Sequence, residues 1–112
     1  MDLYLDLRKS LEKLDTEIDK ISKTGKDYAK AYTDYRIALA QELIRLRDEG
    51  MPVTIAYDIA RGKREIAHLK FEEICSESLH KANLESINAT KLHIKILQTA
   101  IDKEYGHEEV VS

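Results

Sequence analysis

The chain has 112 residues, room for one domain, with eighteen Lys/Arg against twenty-one Asp/Glu. A formal charge of −3 gives no whole-molecule field that would draw it to nucleic acid or a membrane surface, so only a local patch could do so. One Pro, four Gly, no Trp and 35% charged residues exclude a turn-rich sheet domain, and 43% apolar content excludes a disordered chain; long amphipathic helices are what remains.

The first element is read from Leu7, Leu11, Leu14, Ile18 and Ile21, whose steps of four, three, four and three make a heptad seam. At Lys23-Thr24-Gly25-Lys26 two signals conflict. Thr24 followed by Asp27 matches a capping box that would start a new helix. Against a break, sevens counted from Leu11 and Ile18 through Gly25 reach Tyr32, Leu39 and Leu46, with Tyr28 and Tyr35 as the companion line. One internal Gly costs about 1 kcal/mol relative to Ala, which long flanks absorb. A continuous or gently kinked helix is therefore predicted over about 2–48, with any kink at 24–26. The interleaving of Tyr28, Tyr32 and Tyr35 with Lys26, Lys30 and Arg36 superficially matches a base-stacking platform, but the heptad phase assigns the rings to the core.

Gly50-Met51-Pro52 ends this helix, since Gly suits the left-handed residue beyond a helix and Pro cannot extend one. Arg45 and Arg47 fall in its last turn, where cations meet the negative helix end. The corner over 50–62 has two readings: Thr54 caps a short helix closing at Gly62, or Asp58 caps the next long helix. From about 63 to 105 no Gly or Pro intervenes, and Ile66, Leu69, Ile74, Leu79, Ile87, Ile94, Leu97 and Ile101 recur at mostly helical spacing. Gly106 stops the run, and 106–112 is expected to fray.

At about 1.5 Å per residue the two long segments reach roughly 70 and 65 Å, so they match as the arms of an antiparallel hairpin. The expected fold is an elongated all-α, coiled-coil-like helical hairpin forming a single domain. Leu92, Ile96 and Ala100 flank the line of Ile87, Ile94 and Ile101, which widens the apolar stripe beyond a two-helix seam. A homodimer, a dimeric helical bundle, is expected to cover it.

The chemistry-bearing residues argue against catalysis. His68, Glu72 and Cys75 share a helix edge, yet an ordinary core-edge Cys beside a solvated His and Glu explains them, so no metal site is assigned. The carboxylate neighbours Glu72/Glu73 and Glu108/Glu109 point about 100° apart on a helix and form no acid–base dyad. No Gly-rich phosphate loop and no nucleophile–base spacing is present, so no cofactor and no enzymatic activity is expected. The lone Cys75 cannot close an internal disulfide, the start lacks the cations of a signal peptide, and charges interrupt every apolar stretch. A cytoplasmic protein with no membrane span is expected.

The candidate binding residues are Arg45, Arg47, Arg61, Lys63 and Arg64, concentrated at the corner. They either cap helix ends and pair with Asp58 or Glu49, or form a basic tip for phosphate or an acidic protein surface. The string from Glu49 to Gly62, with Glu65-Ile-Ala-His-Leu-Lys70 and Glu85-Ser-Ile-Asn-Ala-Thr-Lys-Leu92, resembles small helical accessory proteins of Gram-positive phages and prophages, found in early gene clusters. The resemblance spans about residues 28–105. It implies an accessory protein in the host cytoplasm, acting on DNA metabolism or on a host protein. The leading expectation is a protein-binding adaptor or inhibitor; the alternatives are a DNA- or RNA-binding accessory protein and a purely structural scaffold.

Overall fold

Asp2 opens the first helix: its Oδ1 accepts from the backbone N–H of Tyr4 at 3.0 Å and of Leu5 at 3.2 Å, satisfying two otherwise orphaned donors. The structure, a computed structural model, describes residues 2–105 in full and the backbone of 106–111. The tail expected to fray, 106–112, lies outside the fully described residues. Three helices follow in order: α1 (Leu3–Asp48), α2 (Val53–Gly62) and α3 (Arg64–Val111), with no strand among the described residues. The fold is all-α.

Helix α1 runs through Gly25 without a break. Thr24 does not cap. Its hydroxyl pairs with Nδ1 of His80 at 2.9 Å, and Asp27 instead takes Lys23 at 2.8 Å. The end of α1 is built as a Schellman turn. The N–H of Gly50 donates to the carbonyl of Arg47 and that of Met51 to Leu46, with Gly50 at φ +89°. Met51 then packs against the core cluster that contains Leu46, the apolar contact that usually accompanies this turn. Of the two readings of the corner, the short helix closing at Gly62 is the observed one. Pro52 rather than Thr54 occupies its N-cap, without a side-chain hydrogen bond, and an extended Lys63 separates it from α3.

The chain divides into two compact units: Lys23–His80, and Met1–Ser22 together with Lys81–Ser112. In the first, α1 and α3 run antiparallel and α2 closes the corner; Tyr35, Leu39, Leu46, Ala56, Ala60 and Ile66 form its core. Helix α2 contributes only two alanines, both fully buried, so its backbone sits close against its neighbours. In the second unit the antiparallel arms meet at Tyr4 and Tyr105, whose ring centroids lie 5.5 Å apart, and Ile87, Ile94 and Leu97 are buried.

The seam keeps the heptad period but not every residue assigned to it. Leu7, Leu14, Ile21 and Tyr28 are half-buried and Tyr35 is buried, as their line predicts. The line counted from Leu11 and Ile18 starts in the wrong place. Leu11 and Ile18 are 45% and 43% exposed and Tyr32 is also exposed, while Ser10 and Glu17 occupy the inside. Only at Leu39 and Leu46 is the expected line buried. On α3, Ile66, Ile87, Ile94 and Leu97 are buried and Leu69 and Ile101 half-buried, but Ile74 and Leu79 face outward. The physical reason lies in the facing arm. Thr90 donates to Glu17 Oε1 at 2.7 Å and Asn83 to the Glu17 carbonyl at 3.1 Å, so polar residues of α3 select a polar line of α1.

Candidate functional site

The five corner cations are all placed in the Lys23–His80 unit, but not as one solvent-facing cluster. Glu42, buried on α1, organises two of them. Arg45 donates to both of its carboxylate oxygens, and Lys63 Nζ approaches Oε2 at 3.1 Å. These two donors, Arg45 first, outweigh the cost of burial and hold the Glu42 carboxyl down at about 2. Arg45 also reaches Glu49 at 2.7 Å. Lys63 thereby ties the start of α3 to α1. Arg47 donates from Nη1 to the Met51 carbonyl at 2.9 Å, completing the end of α1. Arg61 lies over the Tyr57 ring, 5.4 Å from its centroid, and Arg64 stays exposed with no ion pair among the described residues.

Three of the five are thus engaged in folding the corner. Glu42, Asp48, Glu49, Asp58 and Glu65 match them one for one in the same stretch, so its formal charge is zero.

What the corner does present is apolar. Val53, Ile55, Tyr57 and Ile59 on α2 are all exposed, as are Ile37 and Ile44 on α1. A helix with apolar residues on both flanks is ordinarily more deeply buried, yet α2 is covered only through Ala56 and Ala60. A cleft of about 120 Å³, lined by Arg36, Leu39, Ala40, Leu43 and Tyr57, runs where α2 meets α1. Ile37 and Ile44 stand one turn to either side of Ala40 on the same helical face, and Val53 stands one turn before Tyr57. The result is an apolar surface with Arg36 and Arg61 at its margin. In the sequence the arginines are the conspicuous feature of this stretch, and these apolar residues are not. The available signal was apolar residues at both flanks of α2 beside alanines spaced four apart.

The remaining chemistry-bearing residues do not converge. His68 Nε2 and Glu72 Oε1 lie 3.6 Å apart on an exposed face, and no group of three or more His, Cys, Asp or Glu side chains is placed to hold a metal ion among the described residues. No described helix is long and apolar enough to cross a membrane. Compared with known proteins, the chain matches no family model, no curated protein and no solved structure.

Proposed function

We propose that this chain is a non-enzymatic accessory protein that binds another protein through the apolar corner, as an adaptor or an inhibitor. The observation that carries this reading is the exposed apolar surface of Val53 and Tyr57 on one flank of α2 and of Ile37 and Ile44 on the adjoining face of α1. Contiguous apolar surface of this kind marks an interaction site. The occupant it fits is an acidic amphipathic helix. Apolar anchors would lie along Ile37, Ala40 and Ile44, and carboxylates would meet Arg36 and Arg61 at the rim. The resemblance to phage accessory proteins directs the search toward a host or defence enzyme in the cytoplasm. The basic-tip reading, with nucleic acid as partner, is weakened by the intramolecular commitments of Arg45, Arg47 and Lys63.

Affinity capture from host cells, with and without nuclease, tests this. Ile44 is 63% exposed, so Ile44→Glu leaves the fold intact and is expected to weaken capture by about 30-fold, the scale of an interface anchor worth about 2 kcal/mol. Capture that survives Ile37→Glu and Ile44→Glu but disappears with nuclease would overturn the reading in favour of nucleic acid.

A further inference from the structure

Within the unit formed by Met1–Ser22 and Lys81–Ser112, α3 turns Ile87, Ile94 and Leu97 toward α1 and carries a second apolar line on its opposite side. Leu92 and Ile96 are 60% and 58% exposed there. With Lys95, Thr99, Ala100 and Lys103 they line a groove of about 440 Å³. We propose that this groove is a self-association surface, occupied by the same face of α3 from a second copy running antiparallel about a two-fold axis near Leu97 and Gln98.

Three observations select that occupant. The outer positions 92, 96, 99 and 103 are spaced four, three and four, a pattern that reads the same in both directions. An antiparallel copy therefore sets Leu92 against the Lys103 stem and Ile96 against Thr99, and then repeats both contacts, as an isologous interface requires. Lys95 and Asp102 lie one heptad apart on the same flank. Antiparallel packing brings each Lys95 beside the second copy's Asp102, a pairing that parallel packing across the same seam does not provide. Among the described residues no ion pair engages Lys95, Asp102 or Lys103 within the chain. Finally, Thr99 and Ala100 are small enough for two helices to approach closely. Helix α1 packs on the other side of α3, so it does not obstruct the contact.

A contact of three helical turns falls below the roughly 1,000 Å² expected of a tight complex, so the dimer is weak and transient. Sedimentation equilibrium of the full chain from about 1 μM to about 1 mM reads it directly. The expected result is a concentration-dependent dimer that Ile96→Glu weakens at least tenfold, with circular dichroism unchanged. Lys95→Asp and Asp102→Lys each weaken the dimer, and the double variant restores it. A monomer at every concentration, a dimer indifferent to Ile96→Glu, or a double variant no better than the singles would overturn the proposal. Ile44→Glu leaves this dimer intact, so the outcome is independent of the corner surface.

Discussion

Glu42 and Glu17 show why single buried carboxylates matter in a fold with so thin a core. Among the described residues no large side chain is completely buried, and eighteen large apolar side chains are exposed. Polar layers therefore help to define the packing. Glu42 binds Arg45 and Lys63, and Glu17 is held below its ordinary range by the hydroxyls of Ser86 and Thr90, in that order, against the opposing effect of burial. Glu17 Oε2 is buried without a hydrogen bond of good geometry among the described residues. A carboxyl whose folded value is lowered stabilises the fold fully above its unfolded value, near 4.5, and the contribution disappears as pH falls toward the folded value, about 2 for Glu42. Thermal midpoints measured between pH 6 and pH 2 should decline across that window. Glu42→Gln should lower the midpoint at pH 6 and flatten the decline. A decline of unchanged steepness in the variant would show that the corner carboxylate is not its source.

At the scale of the helices, two glycines with opposite geometry give opposite predictions. Gly25 lies within α1 in ordinary helical conformation, and an added Cβ would meet only the edge of the His80 ring at 3.4 Å. Gly25→Ala should therefore stabilise the protein by about 0.5–1 kcal/mol, as removal of backbone entropy from a helix interior does. Gly50 sits at φ +89° in the Schellman turn, with open space around it, so strain alone decides the outcome. Gly50→Ala should cost about 1–2 kcal/mol. Urea denaturation separates the two; equal signs would contradict the assignment of the breaks. The same pair explains how far the helices were legible in the sequence. The in-phase heptad across Gly25 correctly outweighed the Thr24–Asp27 capping signature, and Gly-Met-Pro marked the turn without ambiguity. Period alone did not identify which of two adjacent lines, Ser10/Glu17 or Leu11/Ile18, meets α3. That choice rests on Asn83 and Thr90, some seventy residues away in sequence, whose hydrogen bonds a local pattern does not contain. The same limitation hid the site: the arginines of the corner are conspicuous in sequence, while their neutralisation by Glu42 and the Met51 carbonyl exists only in three dimensions.

For the whole molecule, charge bears on the proposed protein partner and on nucleic acid in opposite ways. A net charge of −3 supplies no general attraction for phosphate, so binding to nucleic acid would rest on corner cations alone. Arg45, Arg47 and Lys63 are committed within the chain, leaving Arg61 and Arg64 as the cations best placed to reach a phosphate. Each phosphate contact contributes about −0.9 to the slope of log K against log salt for duplex DNA, so two cations give a slope of about −2 and five would give about −4.5. With only two contacts, affinity near 0.15 M salt stays at or weaker than the non-specific range of about 10⁻⁴ M. Fluorescence anisotropy with labelled single- and double-stranded probes should accordingly detect no saturable binding at that salt. Any signal at low salt should have the shallow slope and should vanish in the Arg61→Glu, Arg64→Glu double variant. The apolar-corner reading predicts the converse for a protein partner: affinity that varies little with salt, because anchors at Ile37 and Ile44 dominate and the arginines contribute at the rim. A steep slope near −4.5 would mean that the cations leave Glu42 and the Met51 carbonyl to engage phosphate, and the corner would then be a nucleic-acid site.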